Sequence, residues 1–183
     1  MSKLQLRKKL LKIRKLKYNT SNIKFETIKL FLKNKKFKKK PIIGGYFPVS
    51  YEIGCLNILH KLEINNFQIS LPVIGTKNSM QFYNYSFKDP LKIGKHGIPE
   101  PLEKKIVYPD LLFVPLVGFD KRLFRLGYGG GYYDRYLQKL SKMKSFISIG
   151  LAFPFQKVNK IPNETFDKKL DLIITTNKIY VIL

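Results

Sequence analysis

The stretch Arg125-Leu-Gly-Tyr-Gly-Gly-Gly-Tyr-Tyr-Asp134 constrains this chain more than any other. It follows the most apolar run, Leu111–Phe119, which suits a buried central strand. It leads into a helical pattern from about Tyr132 to Lys142, with Tyr133, Tyr136, Leu137 and Leu140 on one face. Gly127, Gly129, Gly130 and Gly131 permit positive φ and a close backbone approach. A helix that starts just after them aims unclaimed N–H groups into the loop. That is an anion site, suited above all to phosphate. No Lys-Ser/Thr follows, so it is not a Walker A loop, and Tyr132 stands where GxGxxG needs its third glycine. Arg125 and Arg135 add cations, and Asp134 adds a carboxylate of the kind Mg²⁺ takes. Read alone, Asp134 is equally a first-turn helix acid favoured by the dipole.

Around this unit the chain alternates. Strands are expected at Pro41–Val49, Phe67–Ile74, Met80–Phe87, Ser145–Phe153 and Leu170–Thr175, with a last edge strand at Ile179–Leu183. A helix is expected over Ile53–Lys61 and a Gly/Pro-rich loop over Gly94–Pro101. Strands alternating with helices imply an α/β fold with a largely parallel sheet. Ahead of it, Leu6, Leu10, Ile13 and Leu16 predict one helix, and Ile28, Phe31 and Leu32 a second, with Ser21 or Asn22 as its N-cap.

Charge narrows the function less than it first suggests. The formal net charge is +23 in 183 residues, and residues 1–40 alone hold 16 basic residues against Glu26. That balance favours anionic partners. Only Arg7, Arg14, Arg122, Arg125 and Arg135 are arginines, however, and 30 of the basic residues are Lys. Nucleic-acid readers favour Arg for its bidentate fork. No nucleic-acid motif is present, so contact with nucleic acid is expected to be nonspecific only. The single Cys55 excludes an intrachain disulfide and a cysteine zinc cluster, and His60 and His96 lack a metal-site spacing. No apolar run is long enough to cross a membrane, and no signal-peptide pattern opens the chain, so a cytoplasmic enzyme is the expectation. No G-x-S-x-G or Cys/His pair supports covalent nucleophilic catalysis. Glu52, Glu100, Asp167 and Asp171 stand at element ends, where turn-capping explains an acid as readily as chemistry does.

Pro109–Asp120 followed by the Arg125–Asp134 loop closely resembles the 5-formyltetrahydrofolate cyclo-ligase family. The resemblance extends in order through Lys3-x-x-x-Arg7 with Arg14, Tyr46-Phe-Pro-Val-Ser-Tyr-Glu52, Leu71–Ile74, Met80–Phe82, Gly97–Pro101, Gly150–Phe153 with Gln156, and Asp167-x-x-x-Asp171. It covers nearly the whole chain. It implies one catalytic domain over residues 1–183, with the basic helices of 1–40 packed on it. The implied architecture is a three-layer α/β/α, Rossmann-like scaffold, shared with sugar-phosphate isomerases and CoA transferases.

The resemblance also implies ATP and Mg²⁺ as co-substrate and metal, 5-formyltetrahydrofolate as substrate, and a monomer. Lys3, Arg7, Arg125, Gly127, Tyr128, Gly129, Gly130, Gly131, Tyr132 and Tyr133 then fall on ATP positions. Phe47, Glu52 and Tyr128 through Tyr132 fall on folate positions. Asp134 and Asp171 fall on the metal, and Arg125 and Tyr132 on catalysis. Two positions depart from the pattern. Gly54 stands where members often carry an acid, and Gly130 where some carry a Lys. A nucleic-acid protein using the basic N-terminus, or another enzyme on the same scaffold, are the alternatives.

Overall fold

The computed structural model describes residues 1–103 and 105–182, and of Lys77 the backbone alone. Its helices are α1 (Lys3–Lys17), α2 (Phe25–Asn34), α3 (Leu56–Ile64) and α4 (Tyr132–Ser141). Its strands are β1 (Ile43–Gly44), β2 (Ile69–Ile74), β3 (Met80–Tyr85), β4 (Leu91–Ile93), β5 (Pro99–Pro101), β6 (Ile106–Val107), β7 (Leu111–Pro115), β8 (Gly118–Phe119), β9 (Arg125–Leu126), β10 (Ile147–Ala152), β11 (Leu172–Thr175) and β12 (Ile179–Tyr180). Eight of them form one sheet in the order β12-β11-β10-β7-β1-β2-β3-β6. Its central pairs, β11 through β2, are parallel, and the pairs with β12, β3 and β6 are antiparallel.

The period-two alternation of β7 shows how the layers form. Leu111 and Phe113 point into a cluster with Ile28 of α2 and Ile58, Leu59 and Leu62 of α3. Leu112 and Val114 point the other way, to Tyr136, Leu137 and Leu140 of α4. Both faces of the strand are therefore dry, as a central parallel strand requires. The result is a three-layer α/β/α arrangement. Helix α1 lies outside these layers. Leu6 and Leu10 pack on Val117, Leu126 and Ile161, just beyond the carboxyl end of β7.

The structure corrects several expected boundaries. The run Leu111–Phe119 is two strands, because the ladder stops at Pro115 and side chains take over the next carbonyl. Leu116 O accepts from Gln156 Nε2 at 2.8 Å and from Arg14 Nη1 at 3.2 Å. Gly118–Phe119 then turns into a hairpin with Arg125–Leu126. A Cβ on Gly118 would lie 2.5 Å from Leu10 Cδ1, so the missing side chain lets α1 approach. The glycine loop thus follows a hairpin, not the central strand directly. Gly94–Pro101 is no open loop but holds most of the β4–β5 hairpin.

Pro41–Val49 shrinks to a two-residue strand, and the α3 helix starts at Leu56, since Cys55 Sγ is committed to the Tyr46 backbone. Ser21 and Asn22 do not cap α2; Lys24 stands there without a side-chain bond. In α1 Leu16 is exposed, and the buried stripe runs Leu6, Leu10, Arg14. A capping box of Ser2 and Gln5 starts that helix. No helix among the described residues is long and apolar enough to cross a membrane.

Candidate active site

The glycine loop sits at the carboxyl ends of the strands, where open α/β sheets bind ligands. It leaves β9 at Gly127 and enters α4 with Gly131 as N-cap. Gly129 (φ 104°) and Gly131 (φ 65°) take the left-handed backbone that glycine adopts without strain. No side chain caps α4. Its first-turn N–H groups are therefore available to an anion.

Helix α1 lines one wall of the loop. Arg7 Nε donates to Gly127 O at 2.7 Å, and a Cβ on Gly129 would lie 3.4 Å from the Arg7 guanidinium. Lys3 is tied at 2.6 Å to Asp167 and 3.1 Å to Glu164, fastening α1 to the 164–168 segment. On the other side, Arg135 donates to Gly130 O at 2.7 Å and Asn78 O at 2.9 Å. The Tyr132 hydroxyl lies 3.4 Å from both Asn78 Oδ1 and His96 Nε2. At the departing position Gly130, a Cβ would meet the Tyr132 ring at 2.6 Å, so that ring fills the space of a side chain. At Gly54 a Cβ would meet only Asn22 Oδ1, at 3.7 Å.

Arg125 and Asp134 form an inner ion pair at 2.9 Å. The Arg125 side chain is buried and also donates to Lys168 O at 2.8 Å. Asp134 Oδ1 accepts a second bond from Lys168 N. The pair clamps the start of α4 to the 168 segment. Asp171 stands elsewhere, just before β11. Its Oδ2 accepts from Ser148 N at 2.7 Å and Ser148 Oγ at 2.6 Å, at the amino ends of β10 and β11. Asp134 and Asp171 share no hydrogen-bond partner among the described residues. No three His, Cys, Asp or Glu residues gather into a metal cage there either.

The loop's other neighbour is an enclosed acid. Phe47 is half-buried on the way out of β1. Ser50 (φ 48°) and Tyr51 (φ 65°) then hold a turn that non-glycine residues rarely adopt. Strain of this kind, on the order of 1 kcal/mol per residue, gathers at binding sites. Here it delivers Glu52 inward, to 6 % exposure. Glu52 Oε2 accepts from Val49 N at 2.9 Å, and Oε1 is enclosed with no partner among the described residues. Burial pushes this carboxyl up to about 7, against the Val49 bond, the Arg14 charge and the Tyr128 hydroxyl, which hold it down.

Tyr128, from the glycine loop, closes the wall between the two regions. Burial and the Glu52 charge push its phenol up to about 12. Tyr133 also reaches inward, and its enclosed hydroxyl has no partner among the described residues. Tyr18 and Tyr51 stack edge-on at 5.4 Å over the outer side.

The expected phosphate residues Arg7, Gly127–Gly131, Tyr132 and Tyr133 thus lie on one loop and its flanks, and Glu52 joins them through Tyr128. Arg135, expected beside the loop as a cation, is there; Asn78 and His96 were not expected in the site, and Arg14 was expected only as part of the basic N-terminal helix. Arg14 carried a signal: it continues the Leu6–Leu10 spacing, which places a charge on an apolar stripe. Asn78 and His96 carried none, since folding alone brings them to the loop.

The model of the 5-formyltetrahydrofolate cyclo-ligase family matches residues 1–176. The 5-formyltetrahydrofolate cyclo-ligase of Haemophilus influenzae is 41 % identical over 140 residues, 72 % of this chain and 74 % of that protein. The structure of Aquifex aeolicus 5,10-methenyltetrahydrofolate synthetase superposes with a TM-score of 0.75 at 29 % identity, covering 99 % of this chain and 93 % of that one. The 5,10-methenyltetrahydrofolate synthetase of Mycoplasma pneumoniae superposes with a TM-score of 0.68 at 26 % identity, covering 96 % and 99 %.

Proposed function

The chain belongs to the 5-formyltetrahydrofolate cyclo-ligase family, and from that premise we propose how its own residues convert 5-formyltetrahydrofolate to 5,10-methenyltetrahydrofolate at the expense of ATP. An N-formyl group is an amide, a poor electrophile with a poor leaving oxygen. Transfer of the terminal phosphoryl group of ATP to that oxygen leaves ADP and an activated carbon. N10 of the same folate attacks the carbon and gives up its proton to solvent, and phosphate leaves with the former formyl oxygen. Ring closure is intramolecular, so the protein's task is to align two substrates and neutralise phosphate charge.

The observation that carries this reading is the wall shared through Tyr128. It sets a phosphate-type loop against an enclosed carboxyl with an unpartnered oxygen. On the loop side, Arg7, the backbone of Gly127–Gly131 and the first turn of α4 receive the nucleotide phosphates, with Tyr132 and Tyr133 beside them. Lys3 contributes from α1, exchanging its hold on Asp167 and Glu164 for phosphate. On the other side, Glu52 Oε1 accepts from the pterin's N–H groups, which a buried acceptor needs, and Phe47 packs on the ring. Arg125 acts chiefly by fixing Asp134 and the start of α4, and Tyr132 serves the transferring group.

Asp134 fits Mg²⁺, because it stands beside the loop and only its Oδ1 is engaged. Mg²⁺ characteristically takes one or two carboxylates and completes its shell with waters and phosphates. When bound it would neutralise charge on the phosphates. Asp171, turned to Ser148, is the second acid the resemblance implies; here it ties β10 to β11. The proposal, following the resemblance, is a monomer acting as one catalytic unit.

The test is direct. Purified protein given ATP, Mg²⁺ and 5-formyltetrahydrofolate is expected to produce the methenyl chromophore, and to produce none when ATP is left out. Arg7→Gln is expected to raise KM for ATP at least tenfold and leave KM for the folate within twofold. A well-folded protein that forms no chromophore would overturn the proposal.

A further inference from the structure

We propose that Arg14 is the positioning residue of the folate end of the site, holding Tyr128 against the Glu52 carboxyl from within α1. The inference rests on the reading of Glu52 as the pterin's acceptor.

Arg14 is fully enclosed, at 0 % exposure, in a chain whose other basic residues are mostly solvated. Nη1 donates to Leu116 O at 3.2 Å, just past the end of β7, and Nη2 donates to the Tyr128 hydroxyl. The guanidinium centre lies 5.4 Å from the Tyr128 ring centroid, and Nε has no partner among the described residues. A buried guanidinium is costly unless an opposite charge answers it. Glu52 is the acid that faces it.

The two are joined through one hydroxyl. Arg14 can only donate, so the oxygen of Tyr128 receives its proton donor from Arg14. The phenol's own hydrogen then turns the other way, to Glu52 or to Val49 O at 3.5 Å. A hydroxyl that accepts from a cation is a stronger donor in turn. Arg14 therefore favours the ionised form of Glu52 twice, by its charge and through Tyr128.

The other titratable groups facing Glu52 are Tyr46 and Cys55 from the β1–α3 segment and Tyr133 from α4. Burial raises all three, which leaves them neutral near pH 7. Among the described groups that face the carboxyl, Arg14 alone brings a compensating cation. Without it, burial would keep Glu52 protonated through neutral pH and remove an acceptor from the pterin.

The test measures binding of 5-formyltetrahydrofolate, without ATP, across pH 5.5–9.5 by calorimetry or intrinsic fluorescence. Wild-type affinity is expected to rise with a midpoint near 7. Arg14→Gln is expected to move that midpoint up by about one pH unit, weakening binding about fivefold at pH 7 and recovering most of it by pH 9.5. Arg14→Lys, which keeps the charge, is expected to hold the midpoint close to wild type. A merely structural role would weaken binding equally at every pH. An unmoved midpoint in Arg14→Gln, or equal midpoints in the Gln and Lys variants, would overturn the proposal. If Arg14→Gln does not fold, Tyr128→Phe takes its place, with an upward midpoint expected and an unmoved one overturning the proposal. Wild-type protein that binds no folate at any pH would defeat the Glu52 reading itself, a distinguishable result.

Discussion

Glu52→Gln gives the sharpest view of what the site costs the fold. The side chain is buried, and its carboxyl is raised from 4.5 to about 7. Below about pH 4.5 folded and unfolded states both hold the proton, and the group contributes nothing to pH dependence. Between 4.5 and about 7 the folded state keeps a proton that the unfolded state releases, so stability falls as pH rises. Above about 7 the loss is complete, and the rise converts to about 3 kcal/mol.

Glutamine keeps the shape and an acceptor for Val49 N but does not titrate. The stability of Glu52→Gln relative to wild type is therefore expected to climb by about 3 kcal/mol between pH 4 and pH 8. At about 2–4 °C per kcal/mol for a chain of this size, the melting-temperature gap should shift by roughly 6–12 °C. Thermal melts of both proteins over that range are the assay. Any pH-independent offset from the orphaned amide cancels in the comparison. The same variant should lose at least tenfold in kcat/KM for the folate and little in affinity for ATP. Parallel melting curves at every pH would refute the enclosed-carboxyl reasoning.

Other perturbations probe the remaining parts. Gly129→Ala puts a side chain at φ 104°, 3.4 Å from Arg7; a loss of about 1–3 kcal/mol in denaturant unfolding is expected, with a raised KM for ATP. Asp134→Asn removes the Arg125 partner and should cost about 2–4 kcal/mol, with a large fall in kcat and a higher Mg²⁺ requirement in titrations; an unchanged Mg²⁺ dependence would remove Asp134 from the metal. Gly118→Leu should push α1 off the hairpin, seen as early proteolysis within residues 1–20 and a raised KM for both substrates.

Much of the architecture is visible in the residues. The alternation of apolar runs reveals a largely parallel sheet, and Leu111–Val114 reads as its dry centre because both faces of that strand are buried. The glycine loop announces itself because the positive φ of Gly129 and Gly131 favours glycine. Three features were not visible. Side-chain donors from Gln156 and Arg14 ended the β7 ladder, and no local pattern reports a partner more than 40 positions away or close to it. Arg14 continues the Leu6–Leu10 spacing, but nothing in the chain shows what its guanidinium meets once that stripe is buried, Leu116 O and the Tyr128 hydroxyl. Asp134 and Asp171 look equivalent in the chain, yet they take different partners, Arg125 and Lys168 N for the first and Ser148 for the second. Net charge carried the least information: of its many cations, Arg7, Arg14, Arg125 and Arg135 make the contacts that shape the site.

The central claim is that the glycine loop and the Glu52 pocket serve one coupled reaction. Simultaneous measurement of ADP and methenyl product tests it most directly. With 5-formyltetrahydrofolate, ATP and Mg²⁺, the two are expected to appear together at one ADP per methenyl group, and Glu52→Gln to depress both equally. Methenyl product formed without ATP, or ADP released at full rate in the absence of the folate, would contradict it.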